Sequence, residues 1–340
     1  MNRFLSTLAQ MKLIAPLILM PLVSTSYAQT FTTFDVPNST ATYATAMNLE
    51  AQITGTYLDT AGTVHGFLRR PNGTVITFSV PNAIQTHPSA INDLAQITGY
   101  YTTSSGIHGF LRQPWGPIST FDVVGATDTI PFAINSLGQI TGYYEINGYD
   151  HGFLRQPNGR TTKFDVPGAD LTWAYDVNLA GQITGEAVGT GCTTNGGTSP
   201  YCAFLREPNG SITIFQVNNS NPTGAVAINL PGQITGFYAN TGGQNPQGFL
   251  REANGTVTTF DVVGASATWA TAINLREQIA GYYLDADGTP HGFLREANGT
   301  ITTFDVPNST ATQAWAINLL GQIAGYYQAN STWHGFYRSK

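Results

Sequence analysis

The chain repeats itself. A Gln-Ile-Thr/Ala-Gly tetrapeptide ends at Gly55, Gly99, Gly142, Gly185, Gly236, Gly281 and Gly325, at steps of 44, 43, 43, 51, 45 and 44 residues. The aromatic residue of a Thr-Phe-Asp-Val-like segment keeps the same six steps at Phe34, Phe78, Phe121, Phe164, Phe215, Phe260 and Phe304. Seven units of one design follow. A fixed period of this length marks folds in which each unit buries its apolar faces against its neighbours.

Four short strands are read in each unit. "ATAIN" (270–274) and "QIAGYY" (278–283) are rich in β-branched and aromatic residues, with a turn between them that Asn274 opens. In four units that turn reads Asn-x-x-Gly, which suits a type I turn. The recurring Asn48, Asn92, Asn135, Asn178, Asn229, Asn274 and Asn318 are therefore read as turn formers. The other two strands, "HGFLR" and "TITTFDV", are joined by Asn-Gly, the strongest short hairpin signal. The phenylalanines on either side of this turn are always 11 residues apart, as in Phe67/Phe78 and Phe293/Phe304, and the midpoint falls on the turn dipeptide. The expectation is that the two rings oppose each other on one face, a pair worth roughly 0.2–1 kcal/mol per unit.

Five of the six histidines, His65, His108, His151, His291 and His334, occupy the slot two residues before that first phenylalanine. Alternation along a strand puts histidine and phenylalanine on the same face, where a neighbouring unit packs. Metal ligands must converge to about 2 Å from one ion. Equivalent positions in successive units stand a whole sheet apart, so these histidines are read as scaffold.

A four-stranded sheet with two apolar faces must be covered on both sides, and units of this kind form an open stack or a closed ring. A lone "FTTFDV" (31–36) precedes the first unit, and the seventh lacks a fourth strand after "HGFYR". If residues 31–36 complete the last sheet, Phe34 takes the place opposite Phe336 and the ring closes. The expected fold is all-β: a seven-bladed β-propeller of four-stranded blades spanning residues 29–340 as one domain.

Residues 1–28 read as a cleaved signal peptide, with Arg3 and Lys12 ahead of the apolar run Leu13 to Val23 and small or polar residues ending at Ala28. Secretion to the periplasm or beyond the cell is expected, with no membrane span in the mature chain. The two cysteines, Cys192 and Cys202, flank a Gly-rich insertion and are expected to pair as a disulfide in an oxidising compartment. The chain has 14 basic and 20 acidic residues, and seven of the basic ones fill one repeat position from Arg69 to Arg338. No basic cluster is left to neutralise a phosphate backbone, so nucleic acid is not an expected partner.

Asp35, Asp122, Asp165, Asp261 and Asp305 fill the FDV slot and are read as bracing outer strands. Asp176 with Glu186, and Glu145 with Asp150, are the carboxylate pairs whose positions leave room for glycosidase geometry. "LDADGTP" (284–290) offers Asp285 and Asp287 as a fragment of a calcium loop. Calcium takes six to eight oxygens, so a solvated turn is the better reading, and no metal or cofactor is expected. The sequence carries no nucleophile elbow, zinc-protease motif, phosphate loop or dinucleotide fingerprint.

The loop into the first strand is what varies between units. Tyr43, His87, Phe132, Trp173, Tyr175, Trp269 and Trp315 stand five or three positions before the turn asparagine, which places them on one face around the axis. Flat rings among amides and hydroxyls suit sugars, whose rings have apolar faces and polar edges. The competing reading is that these rings plug the gaps between blades at the inner rim.

The motif HGFL…NG…FDV…AIN..GQI.GYY resembles the bacterial extracellular repeat family named for its His-Ala-Phe signature (HAF repeats), with Gly at the middle position of the His-containing copies. The likeness covers nearly all of the chain beyond the leader. It implies an exported protein and brings no activity, catalytic residue or ligand. A secreted, monomeric, non-enzymatic binding module is expected, with a glycan or another cell-surface component as partner. The alternatives are a carbohydrate-active lyase or hydrolase working near the axis, and a purely structural envelope or matrix protein.

Overall fold

The computed structural model describes residues 29–192, 200–218, 222–239 and 244–339; the leader and most of the cysteine-flanked insertion lie outside them. Seven four-stranded antiparallel sheets stand around one axis. Blade 1 runs Ala41–Met47, Ile53–Leu58, Val64–Arg69 and Val75–Phe78, and each later blade repeats that order. The first strands of successive blades touch one another and form the inner ring. Among the described residues there is no α-helix, only a short 3₁₀ turn at Thr190–Cys192, and no helix is long and apolar enough to cross a membrane.

The ring closes through the strand Thr30–Phe34, which pairs antiparallel with Thr332–Ser339 as the outermost strand of blade 7. The closing strand also restores two side-chain links found in other blades: Asp35 accepts from His334 Nδ1 at 2.9 Å, and Phe34 meets Phe67 of blade 1.

The hairpin phenylalanines do not oppose each other as the 11-residue spacing implied. Phe78 lies opposite Gly66, and Phe67 opposite Thr77; likewise Phe34 lies opposite Gly335 rather than Phe336. The turn is one residue longer than an Asn-Gly pair: Arg70 N donates to Thr74 O, and Gly73, at φ 88°, donates to Arg70 O. A type I turn followed by a left-handed glycine adds one residue to the loop and shifts the register by one. One step of register moves a side chain to the other face. The two rings of a unit therefore point to opposite faces.

Each ring finds its partner in the adjacent blade instead. Six pairs, such as Phe34 with Phe67 and Phe78 with Phe110, have centroids 6.0–6.3 Å apart. The inner member of every unit, from Phe67 to Phe336, is fully buried. The repeated arginine completes the joint, its guanidinium stacking 4.5–5.1 Å from the outer phenylalanine of the preceding blade at all seven interfaces. Glycine is needed between His and Phe because a Cβ on Gly66 would come within 2.7 Å of the Phe78 ring.

The repeated histidines belong to this scaffold. Nδ1 of His108, His151, His291 and His334 faces the FDV aspartate of its own blade at 2.9–3.0 Å, and His65 faces Ser79 in the same way. Each imidazole also packs against the second tyrosine of its blade, at 5.1–5.2 Å. The aspartates thus tie the outermost strand to the third.

Candidate ligand-binding face

At one end of the axial channel, each first strand turns back at its asparagine, and these seven side chains form a closed ring. Asn48 Nδ2 donates to Asn92 O, Asn92 to Asn135 O, and so on to Asn274 and Asn318 O, at 2.9–3.1 Å. Asn318 returns to Asn48 O and Leu49 O at 3.5 and 3.3 Å. Each Oδ1 also accepts the amide of the glutamine four residues on, at 2.9–3.1 Å. The turn reading of these residues holds, since the fourth turn residue donates to Asn O throughout and sits at positive φ. Their second task, linking one blade to the next, leaves no trace in a single unit.

The opposite mouth is built from the positions that vary. The residue five before each asparagine is in register with the residue after the motif glycine of the next strand: Tyr43 with Thr56, His87 with Tyr100, Trp173 with Glu186, and Trp269 with Tyr282. A register shift follows in every first strand, as between Ala44 and Ala46, and the residue inside it is the one three before the asparagine. Phe132, Tyr175 and Trp315 occupy this bulged position.

The rings collect into arcs. Trp269 stacks on Tyr282 at 5.2 Å, Tyr282 meets Trp315 at 5.8 Å, and Trp315 stacks on Tyr326 at 6.0 Å. Tyr326 then reaches Tyr43 at 5.1 Å and Trp333 at 5.3 Å, so one aromatic arc spans blades 6, 7 and 1. All six of its rings are half-buried. Phe132, Tyr143 and Tyr175 make a shorter arc across blades 3 and 4, at 5.5 Å. His87 stacks on Tyr100 at 4.6 Å in blade 2, and burial lowers its pKa. Blade 5 interrupts the circle with Gly224 and Val226. Of the seven sequence candidates, Tyr43, Trp269 and Trp315 thus share the long arc, while Phe132 and Tyr175 share the short one. His87 and Trp173 stand outside both.

The short arc is acidic where the long one is not. Glu145 lies directly between Asp128 and Asp150 in the sheet, and the Trp173 indole donates to Asp150 at 2.7 Å. Burial, with these carboxylates and Tyr100 adding to it, pushes the Tyr143 hydroxyl up to about 12. Tyr175 donates to Glu186 Oε2 at 3.4 Å, and burial raises Glu186 to about 7 although that hydrogen bond pulls it down. Asp176 has separate partners: its two oxygens accept the amides of Val177 and Ile228. The other carboxylate pair, Glu145 with Asp150, does meet across the sheet.

Asp285 serves a turn. Its Oδ1 accepts the amides of Asp287 and Thr289 at 2.9 Å, and its Oδ2 faces His291 Nε2 at 3.3 Å. Asp59 does the same for Ala61, Thr63 and His65 in blade 1. Cys192 and Cys202 form a disulfide, with Cα atoms 5.1 Å apart, on the aromatic side of the blade. The turn before it packs on the loop into the first strand of blade 4, where Gly191 N donates to Gly168 O at 2.8 Å.

No known family profile matches the chain, and neither does any curated protein. Solved structures do. Virginiamycin B lyase from Staphylococcus aureus, an inactive H270A variant solved with quinupristin, superposes with a TM-score of 0.63 at 12% identity, covering 92% of this chain and 100% of its own. The β-propeller domain of the Trilobed protease from Pyrococcus furiosus gives 0.60 at 7% identity, over 88% and 94%. A lectin from Burkholderia pseudomallei gives 0.56 at 10%, over 88% and 95%. The likeness is one of fold. It places the chain among β-propellers, which serve lectins, lyases and peptidases alike.

Proposed function

We propose that this protein is an exported carbohydrate-binding propeller of the His-Ala-Phe repeat type, and that a glycan rests on the aromatic arc of blades 6, 7 and 1. The observation that carries the reading is the run of half-exposed Trp269, Tyr282, Trp315, Tyr326, Tyr43 and Trp333 around one mouth. Tyr43 and Trp333 meet Tyr326 edge-on while Trp269 and Trp315 stack on their tyrosines, a mixed aromatic surface suited to the apolar face of a pyranose, and aromatic contact area is large for little conformational entropy. The carboxylates and hydroxyls of blades 3 and 4 stand across the mouth as acceptors for sugar hydroxyls. That a propeller lectin shares the fold supports the reading, as do the disulfide and the absence of a membrane-crossing helix among the described residues.

A glycan array on the mature protein tests it, with Trp269→Ala, Trp315→Ala and His87→Ala variants alongside. Binding that falls at least about tenfold in the two tryptophan variants and survives in His87→Ala supports the arc. No bound glycan, or binding indifferent to the tryptophans, removes it. Glu186 favours a second reading, since a carboxyl raised to about 7 beside a tyrosine hydroxyl is poised for proton transfer at neutral pH. Cleavage of a bound polysaccharide that is lost in Glu186→Gln would make the protein an enzyme.

A further inference from the structure

The asparagine mouth opens into a funnel of about 380 Å³. Five leucines with Asp93 and Ser136 form its rim; below the asparagine ring lies a belt of Met47, Val177 and five isoleucines. Asp176, one position further from the mouth than the belt, also lines the funnel. At this position the other six blades carry alanine, from Ala46 to Ala316, so the ring does not require an acid there.

We propose that this funnel binds a free primary amine carried on a linear aliphatic stem, the ammonium group against Asp176 and the stem along the apolar belt. Oδ1 of Asp176 accepts Val177 N at 2.8 Å and Oδ2 accepts Ile228 N at 2.9 Å. Two backbone amides orient the carboxylate and leave each oxygen a further acceptor site toward the funnel. Asp176 is half-buried and is part of the funnel lining. No basic residue lines the funnel, and its two charged residues, Asp176 and Asp93 at the rim, are both acidic, which favours a cation. The asparagine amides are committed to the ring, which leaves Asp176 as the one carboxylate at depth. That is too few oxygens for calcium but enough for one ammonium. Burial raises Asp176 to about 6, the direction expected of an anion lacking a cation.

Calorimetric titration of n-hexylammonium into the mature protein at neutral pH, beside n-hexanol, tests the assignment. The amine is expected to bind at least about tenfold more tightly than the alcohol. Asp176→Asn should abolish that preference while still unfolding in one cooperative transition. Asp176→Ala, which restores the residue of the other six blades, should do the same if the asparagine variant folds poorly. Equal affinity for amine and alcohol, unchanged preference in both variants, or no saturable binding overturns the proposal. Trp315→Ala, at the far mouth, should leave the titration unchanged, so this result is independent of the glycan reading.

Discussion

The two mouths of the channel are made by the same strands and obey opposite rules. At one, all seven blades supply asparagine, and every side chain reaches the backbone of the next blade. At the other, equivalent positions hold Tyr43, His87, Ile130, Trp173, Gly224, Trp269 and Gln313. A hydrogen-bonded ring demands one geometry seven times, because a missing asparagine removes the link to the next blade and strips the glutamine N–H four residues on of its acceptor. Rings held by edge and face contacts tolerate variety, because dispersion is not directional. The asparagine ring is therefore assigned to assembly, and the other mouth is where the first strands differ most.

Both mouths presuppose closure, so the largest expected effect comes from deleting residues 29–37. The variant loses a strand of blade 7, the Phe34 contact and the Asp35–His334 link, and should melt far below the parent in a thermal scan; melting like the parent would defeat closure by this strand. Removing one buried ring at a blade joint, as in Phe153→Ala, should cost about 3–5 kcal/mol in denaturant unfolding.

Alanine at a ring asparagine should cost about 1–3 kcal/mol. The loss should be similar at Asn92 and Asn274, whose side chains make the same bonds. Widely different losses would break the claim that this mouth is uniform.

At the varied mouth a substitution can stabilise. Glu186 has a folded pKa of about 7 against an ordinary value of 4.5, so the folded state holds its proton more tightly. That contribution is complete below about pH 4.5 and is lost as the pH rises through about 7. Glu186→Gln should accordingly be more stable than the parent at pH 8, by on the order of 2 kcal/mol, with the gap closing toward pH 4.

The smallest effect belongs to the scaffold. Burial lowers the pKa of His291, but its hydrogen bonds to Asp305 and Asp285 outweigh that and leave it raised. Its protonated form therefore adds stability that is whole below the unfolded value near 6.5 and fades as the pH passes the folded one. His291→Gln should lose under about 1 kcal/mol at pH 5.5 and nothing measurable at pH 9.

Much of this molecule could be read before any coordinates. Periods near 44 residues and a missing fourth strand in the last unit dictated seven blades and their closure, because a sheet with two apolar faces is stable only between neighbours. The disulfide partners and the scaffold role of the histidines were equally open to reading. Local spacing failed where one residue mattered: the Asn-Gly midpoint implied a two-residue loop, and the left-handed Gly73 made it three, sending Phe67 and Phe78 to opposite faces. The aromatic candidates were nameable from their offset to the asparagine. Their grouping into arcs was not, since Trp315 meets Tyr282 and Tyr326 meets Tyr43 across blade boundaries.

The sequence by itself determined what each unit is and how many there are, because strand alternation and turn chemistry act within a few residues. Only the tertiary structure decided what the units do to one another: the asparagine ring, the arginine-capped phenylalanine joints, and the lone Asp176 at the end of the funnel. These contacts join residues about one repeat apart or farther, and no pattern inside a single repeat encodes the angle at which neighbouring sheets meet.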